Sequence, residues 1–322
     1  MKRGMSILTV LGLLAVGICA GCREVNGEDE SQRSEEEVRL ERIGRIDSTL
    51  LRVLPHAEGM NGWMADSLAQ WQERLDALSA EAWVLVEDST GLVISAKNAD
   101  ERMYMASITK MMTCLLALEN GRLEDSIVIT KDVYTTSDAR VKVGDGYTVG
   151  NVIREMMMLS DNNAAYALAK FVGGDTLTFY GMMNQKAKYL GMNGTHFANP
   201  NGMPNNDNYS SASDLVRLTR YCLCDSVFSE IVSTTEADLP LLDGRHMPCY
   251  NTNLLLTSYE GCIGIKTGYT RQAAGCLASA ATRRGTTLHL VLLGSPGRSA
   301  RFRESAILLD YGFRVMDACD FR

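Results

Sequence analysis

Histidine and basic charge are both scarce in this sequence, and their scarcity excludes whole classes of function. Only 4 of the 322 residues are histidines, they are widely scattered, and no His-Glu-x-x-His motif occurs. We therefore expect no metal site. The formal net charge of −7 provides no basic surface of the kind that binds nucleic acid. The apolar run at residues 6–20 is shorter than the roughly 20 residues that cross a bilayer as a helix.

The sequence also lacks a disulfide framework, although it contains 9 cysteines. Two of them, Cys19 and Cys22, lie in the N-terminal leader, and the rest are dispersed. Cys222 and Cys224 are too close together for the usual spacing of a zinc site. We expect most of the cysteines beyond the leader to be buried free thiols.

The N-terminus has the pattern of a secretory signal peptide over residues 1–21. Lys2 and Arg3 precede the apolar run, and small residues follow it. The sequence around Cys22 resembles a bacterial lipobox, which implies cleavage before Cys22 and attachment of a lipid to its sulfur. Cys19 departs from that pattern, because such boxes usually carry leucine there, so ordinary cleavage and an uncleaved anchor stay open. In each case the rest of the chain is exported to the cell envelope or periplasm.

Three segments follow the signal peptide. Residues 22–45 are charged and poor in apolar side chains, which predicts a flexible acidic tether. Residues 46–80 contain apolar side chains at helical spacing and predict a helical lead-in. Residues 81–318 then form the main domain.

The main domain is predicted to have a mixed α/β (α+β) fold. Two β-rich runs, residues 83–87 and 92–96, flank a turn that contains Gly91. Two further β-rich runs occur at residues 275–281 and 286–293, with helical patterns between the two pairs. These pairs predict an antiparallel sheet built from both ends of the domain and flanked by helices. A closing helix is predicted over residues 300–311.

Three short motifs stand in order along this domain. Ser107 and Lys110 form the only Ser-x-x-Lys in the chain, at the head of an apolar run. On a helix such a pair shares one face, so a lysine amine can reach and activate a serine hydroxyl. The alternative is that Ser107 simply caps the helix. The other two motifs are Ser160-Asp-Asn162 and Lys266-Thr-Gly268, and each of them alone is weak evidence.

Taken together, the three motifs are the signature of penicillin-binding proteins and class A β-lactamases. Over about residues 80–315 the sequence resembles the D-alanyl-D-alanine carboxypeptidases, the low-molecular-weight penicillin-binding proteins of serine peptidase family S11. The further segments that carry this resemblance are residues 197–204 (FANPNGMP), 208–210 (NYS), 251–255 (NTNLL), 264–270 (GIKTGYT) and 309–313 (LDYGF). It implies a β-lactamase/transpeptidase-like fold, in which a helical subdomain carries the first two motifs.

The resemblance also implies catalytic roles for four residues. Ser107 attacks the carbonyl between two D-alanines, and Lys110 takes the serine proton. Ser160 relays a proton to the leaving amine, and Asn162 holds the substrate amide and the lysine. An ordinary lysine is protonated at pH 7, so we expect burial or a nearby cation, with Lys266 as the candidate, to lower the pKa of Lys110.

Substrate-binding roles follow in the same way. Lys266, Thr267 and Gly268 form the third motif, and Thr267 binds the terminal carboxylate of the substrate. Arg301 pairs with that carboxylate, although Arg298 and Arg303 are close by in sequence. The backbone N–H groups of Ser107 and Tyr269 form the oxyanion hole. Asp161 stands where the family often has glycine, and we expect this departure to be tolerated because no role is assigned to its side chain.

The implied function is a serine-type D-Ala-D-Ala carboxypeptidase that needs no cofactor. Its partners would be peptidoglycan stem peptides ending in D-Ala-D-Ala, β-lactam antibiotics as covalent inhibitors, and a membrane through the lipid. The chain ends at Arg322, so the C-terminal β-domain and amphipathic anchor of many family members are expected to be replaced by that lipid.

Three alternatives stay open. A D,D-endopeptidase would use the same residues on peptidoglycan cross-links. A class A β-lactamase would need a glutamate between the second and third motifs, but no glutamate occurs between Glu155 and Glu230. A non-catalytic peptidoglycan-binding module would keep the fold and would not react with penicillin.

Overall fold

The computed structural model describes residues 34–44, 70–133 and 139–319. The predicted signal peptide and Cys22 lie outside these residues. The strands are β1 Ala82–Glu87, β2 Val93–Lys97, β3 Ser126–Val128, β4 Gly146–Thr148, β5 Glu236–Pro240, β6 His246–Tyr250, β7 Cys262–Thr270, β8 Ala274–Arg283 and β9 Thr286–Ser295. The α-helices are α1 Glu35–Gly44, α2 Lys110–Asn120, α3 Val149–Met158, α4 Asn162–Gly173, α5 Thr176–Tyr189, α6 Ala212–Leu223, α7 Ser226–Ser233, α8 Leu255–Ser258 and α9 Gly297–Cys319.

The centre of the protein is a five-stranded antiparallel sheet with the strand order β2-β1-β9-β8-β7. The hairpin β1–β2 comes from the start of the domain, and β7, β8 and β9 come from its end. Strand β1 joins the two groups by pairing with β9. The prediction of an antiparallel sheet assembled from both ends of the domain is confirmed, and β7 lies at one edge of this sheet.

Both faces of the sheet are buried, and the two-residue period of its strands divides their side chains between two cores. On β9, Val291 and Leu293 belong to the core that packs against helices α2–α7. Leu288, Leu290 and Leu292 belong to the opposite core, which packs against α9. The sheet is therefore the middle layer of a three-layer domain.

Helices α3 to α7 begin at residues suited to capping. The side chains of Thr148, Asp161, Asp175, Ser211 and Asp225 each accept a hydrogen bond from a backbone N–H in the first turn of the helix that follows. The methionines at 156–158 are fully buried in the first core. They are packing residues, as their position in an apolar helix predicts.

The prediction of a flexible tether is wrong for part of residues 22–45. Residues Glu35–Gly44 form helix α1, which lies against α6. The guanidinium of Arg39 stacks on the ring of Tyr221 at 3.7 Å and donates to the Tyr221 carbonyl. Glu36 accepts hydrogen bonds from the hydroxyls of Tyr221 and Tyr189. This segment is poor in apolar residues, but aromatic and ionic contacts supplied by the domain hold it.

The predicted lead-in is partly described, and that part belongs to the domain core. Residues 71–76 are helical. Trp71, Leu75 and Leu78 are buried in the second core, where the ring of Trp71 lies 6.1 Å from that of Tyr311. Helix α9 extends beyond the predicted residues 300–311 at both ends. Within the described ranges, no helix combines the length and the apolar content that a membrane span requires.

Six cysteines in the described part of the chain are free: Cys114, Cys222, Cys249 and Cys276 are buried, Cys262 is half-buried and Cys224 is exposed. For these six, the expectation of free thiols is confirmed. Their burial is also as expected, except for Cys224.

Candidate active site

Ser107 lies in a short 3-10 helix, Ala106–Thr109, that leads directly into α2. If Ser107 were only a helix cap, its hydroxyl would accept from the first turn of α2. Thr109 occupies the cap position instead, and no side chain caps either helix. Ala106 has a backbone φ of +48°, which is uncommon for a residue with a side chain and occurs where the surrounding structure imposes it. The simple capping explanation is therefore wrong for Ser107.

The amine of Lys110 has three hydrogen-bond partners. Its Nζ lies 3.0 Å from Ser107 Oγ, 2.9 Å from Asn162 Oδ1 and 2.7 Å from the carbonyl oxygen of Asn201. The two carbonyl-type oxygens can only accept, whereas a serine hydroxyl can also donate. A neutral lysine has two N–H groups and one lone pair, so its lone pair is free to accept the Ser107 proton while both acceptors stay satisfied.

Burial is the main cause of the low pKa of Lys110. The side chain is fully buried, which lowers its pKa to about 7, while the charge of Asp161 acts in the opposite direction. We expected the charge of Lys266 to be a cause. Instead, burial and the charges of Lys110 and Arg301 lower the pKa of Lys266 well below its ordinary value. The burial of both lysines thus favours loss of a proton, for Lys110 near neutral pH.

The second motif forms the turn between α3 and α4. Ser160 has a φ of +64°, its side chain is half-buried, and its hydroxyl makes no hydrogen bond within the part of the chain that the structure describes. Asn162 is the first residue of α4 and accepts from Lys110. The structure thus brings Asn162 into contact with Lys110 of the Ser107–Lys110 pair. Ser160 lies in the same turn, two residues before Asn162 in the chain.

The side chain of Asp161 has clear structural contacts, so the expectation that it has no role is corrected. It is buried and caps α4 by accepting from the N–H of Ala164 at 2.9 Å. Its other oxygen accepts from the backbone N–H groups of Arg140 and Val141. Nothing in the sequence around Asp161 identifies these partners, because they lie about 20 residues away.

The loop at residues 199–203 supplies a contact that the motifs did not identify. The carbonyl of Asn201 accepts from Lys110, and Thr113 of α2 donates to the carbonyl of Pro200 at 2.6 Å. Gly202 has a φ of +82°, and a Cβ there would lie 1.9 Å from the carbonyl oxygen of Ala106. Only glycine fits such an approach. The sequence of this loop does not indicate which of its atoms contacts Lys110.

Strand β7 brings the third motif to the other side of Ser107. A Cβ at Gly268 would lie 3.1 Å from the backbone N of Ser107, so the edge strand passes directly beside the 3-10 helix. Lys266 is buried and donates to the carbonyl of Thr267. The hydroxyl of Thr267 lies 2.7 Å from that of Thr252. Tyr269 follows and is 40% exposed.

Arg301 is the arginine that contacts this motif. Its side chain is buried, donates to the carbonyl of Gly268 and leaves its Nε without a partner. Burial lowers the pKa of Arg301 to about 10. Arg298 instead lies over the ring of Tyr269 at 4.9 Å. No carboxylate of the described ranges pairs with Arg301, so this buried cation is available to an anionic ligand.

The arrangement is suited to acyl transfer through a serine. A nucleophile lies within hydrogen-bond distance of a buried base, and that base is held by a side-chain amide and a backbone carbonyl. Two further basic side chains, Lys266 on β7 and Arg301 on α9, are also buried, and the guanidinium of Arg301 can receive the carboxylate of a substrate.

Comparisons with known proteins identify the family of this chain. A family model described as D-alanyl-D-alanine carboxypeptidase, peptidase S11, matches residues 69–297. The D-alanyl-D-alanine carboxypeptidase DacF of Bacillus subtilis is 32% identical over 244 residues, which cover 74% of this chain and 63% of the relative. The D-alanyl-D-alanine carboxypeptidase of Streptomyces sp. strain K15 is 33% identical over 257 residues, covering 74% of this chain and 88% of the relative.

A solved structure shows the same architecture. The crystal structure of the Streptomyces K15 DD-transpeptidase superimposes with a TM-score of 0.71 at 33% identity. The superposition covers 74% of this chain and 98% of that one. The mixed α/β fold with its antiparallel sheet is thereby confirmed.

Proposed function

Since the chain belongs to the D-alanyl-D-alanine carboxypeptidase family, peptidase S11, we propose that it is a serine peptidase that removes the terminal D-alanine from peptidoglycan stem peptides. Its substrate is a peptide that ends in D-Ala-D-Ala. The observation that carries the proposal is the buried amine of Lys110, 3.0 Å from the hydroxyl of Ser107 and with a pKa of about 7.

In the first step, Ser107 Oγ attacks the carbonyl carbon between the two D-alanines. Its proton passes to the lone pair of Lys110, whose two N–H groups stay on Asn162 and Asn201. The carbonyl oxygen becomes an oxyanion, and the backbone N–H groups of Ser107 and Tyr269 stabilise it. Loss of one such donor typically costs about 10²–10³ in rate.

In the second step, the tetrahedral intermediate collapses and the C–N bond breaks. The proton held by Lys110 reaches the leaving amine through the hydroxyl of Ser160, and D-alanine departs. The shortened peptide remains as an ester on Ser107. Water then attacks this ester, the C–O bond to Ser107 breaks, and the serine recovers its proton.

The terminal carboxylate of the substrate binds beside β7. Thr267 donates a hydrogen bond to it, Arg301 supplies positive charge, and the bound carboxylate favours the charged form of the neighbouring Lys266. This placement is supported by the buried guanidinium of Arg301, whose Nε lacks a partner. A carboxylate that enters the site would therefore meet a buried cation without displacing an existing ion pair.

β-lactams carry a carboxylate and a reactive carbonyl, so they acylate Ser107 in the same way and remain covalently bound. A fluorescent penicillin and a pentapeptide ending in D-Ala-D-Ala test the proposal, with the wild type beside Ser107→Ala. We expect the wild type to be labelled and to release D-alanine, and the variant to do neither. A wild type that does neither is a non-catalytic module, and the proposal fails.

The same assay separates the other two alternatives. Rapid release of hydrolysed penicillin would identify a β-lactamase. Cleavage of purified cross-linked muropeptides, without release of D-alanine from the pentapeptide, would identify an endopeptidase.

The proposal extends to the location of the enzyme: a lipid on Cys22 anchors it to a membrane of the cell envelope after residues 1–21 are removed. The leader sequence around Cys22 supports this step. Cys22→Ser is expected to move the protein from the membrane fraction to the soluble fraction, while the penicillin labelling of the protein persists. Unchanged membrane association would contradict lipid attachment at this residue.

A further inference from the structure

The turn that carries Ser160 and Asn162 is fastened to a distant segment by a single carboxylate. Asp161 Oδ1 accepts from the N–H of Ala164, and Oδ2 accepts from the N–H groups of Arg140 and Val141. Asn163 adds to this connection by donating to the carbonyl of Val141. The peptide groups at residues 140–141 are therefore held by side chains from the start of α4.

This connection continues directly to the catalytic base. Asn162 follows Asp161 in the chain and accepts from Lys110, which in turn contacts Ser107. We propose that Asp161 is a positioning residue, whose carboxylate fixes the Ser160–Asn162 turn against residues 140–141 and thereby sets the position of Asn162 relative to Lys110. This inference goes beyond the proposed function, because Asp161 touches neither the substrate nor the reacting atoms.

A carboxylate is required because all three partners are N–H donors. Each oxygen of a carboxylate accepts, whereas an asparagine offers one accepting oxygen and a donating NH₂ group. Asp161→Asn therefore breaks either the cap on Ala164 or the contacts with Arg140 and Val141, and it places a donor against a donor. Asp161→Gly removes all three contacts without adding a donor.

The charge of Asp161 also affects the pH range in which Lys110 is neutral. This charge favours the protonated form of Lys110 and so raises its pKa against the effect of burial. The other titratable or charged groups that face the pair Lys110–Asp161 are Lys266 on β7, Glu155 on α3, Tyr147 on β4, Cys249 on β6 and Arg140. Among them, Glu155 also has a pKa of about 7, because burial raises it.

Hydrogen exchange followed by mass spectrometry tests whether Asp161 holds residues 140–141, and it does not depend on enzyme activity. We expect peptides that cover residues 139–142 to exchange faster in Asp161→Asn and Asp161→Gly than in the wild type. Asp225→Asn is the matched control, because Asp225 caps α7 by accepting from Phe228 and lies in another part of the fold. Unchanged exchange at residues 139–142 in both Asp161 variants would overturn the proposal. Asp161→Gly decides the question if the asparagine variant does not fold.

The pH profile of penicillin acylation is the second readout. Misplacement of Asn162 is expected to lower the plateau rate constant at high pH about tenfold or more. Loss of the Asp161 charge is expected to lower the pH at which acylation reaches half of its plateau rate, the midpoint of the profile, by about one unit. With a wild-type midpoint of about 7, the rate at pH 6 relative to the plateau would then rise about fivefold. If Asp161 only capped the helix, its replacement would leave the midpoint unchanged. That result would contradict the proposed effect of its charge on Lys110.

Two controls complete the experiment. Glu155→Gln removes the other group that titrates near pH 7 and is expected to leave the midpoint unchanged if Lys110 is the base. A wild type that does not react with penicillin would refute the proposed function, while hydrogen exchange would still decide whether Asp161 holds the turn.

Discussion

At the scale of single residues, the most consequential feature is a lysine that burial keeps near its neutral form. Lys110 is fully buried, and its pKa of about 7 compares with about 10.4 for an exposed lysine. Removal from water disfavours the ammonium, and the charge of Asp161 offsets only part of this effect. The proposed mechanism therefore needs no histidine, because a neutral lysine can accept the proton of the serine hydroxyl.

The low pKa of Lys110 predicts a pH dependence for acylation. Lys110 must be neutral to accept the serine proton, and its neutral fraction rises with pH through about 7. The acylation rate constant is expected to fall about tenfold per pH unit well below this midpoint and to level off above it. Stopped-flow labelling with fluorescent penicillin from pH 5 to 9 measures this dependence, with thermal unfolding at each pH as the control. A flat profile between pH 6 and 8 would contradict the assignment of Lys110 as the base.

At the scale of elements, the site depends on how closely three segments approach one another. The loop at residues 199–203 and strand β7 both pass beside the 3-10 helix that carries Ser107, and glycines make both approaches possible. At Gly202 and Gly268, a Cβ would lie 1.9 Å and 3.0 Å, respectively, from backbone oxygens of Ala106 and Met105. These glycines are packing requirements of the nucleophile.

Gly202→Ala is expected to displace the nucleophile. The new Cβ must push either the loop or Ala106 away, and a shift of about 1 Å in an active site can cost about 10²-fold in rate. Gly244→Ala is the matched control, because Gly244 has a similar φ of +85° but open space around it. It should cost about 1–2 kcal/mol of stability through backbone strain and leave acylation unchanged. Penicillin labelling rates and urea unfolding of both variants measure these effects, and equal labelling rates would contradict the prediction.

At the scale of the whole molecule, the domain includes residues that precede the first strand of the sheet. Residues 71–76 pack against α9, and Trp71, Leu75 and Leu78 are buried in the second core. The family match also begins at residue 69. We therefore propose that the folding unit begins near residue 70, and not at the residue 81 that the sequence predicted.

Two truncations test this boundary, and both of them lack α1. A chain that begins at residue 81 loses three buried side chains, each contributing about 1.5–3 kcal/mol. A chain that begins at residue 70 keeps them. Because total stabilities are about 5–15 kcal/mol, the shorter chain is expected to unfold at much lower urea concentration or to be insoluble. Equal midpoints in urea would place the boundary at residue 81.

The sequence alone determined the features that depend on local spacing. The Ser-x-x-Lys interval places a serine and a lysine on one face of a turn, and the β-rich runs at both ends of the domain predicted an antiparallel sheet flanked by helices. The three motifs in their order along the chain indicated the family. These inferences succeed because side chains three residues apart on a helix, or two apart on a strand, point the same way in almost any fold.

Only the tertiary structure decided the low pKa of Lys110 and the contacts that hold its amine. The pKa of Lys110 depends on burial under the whole domain. Its two obligate acceptors, Asn162 and Asn201, lie 52 and 91 residues away in sequence. Asp161 binds a segment about 20 residues earlier, and α1 is held by Tyr221 from a helix far along the chain. No local pattern encodes such contacts, because folding brings the partners together and excludes water from them.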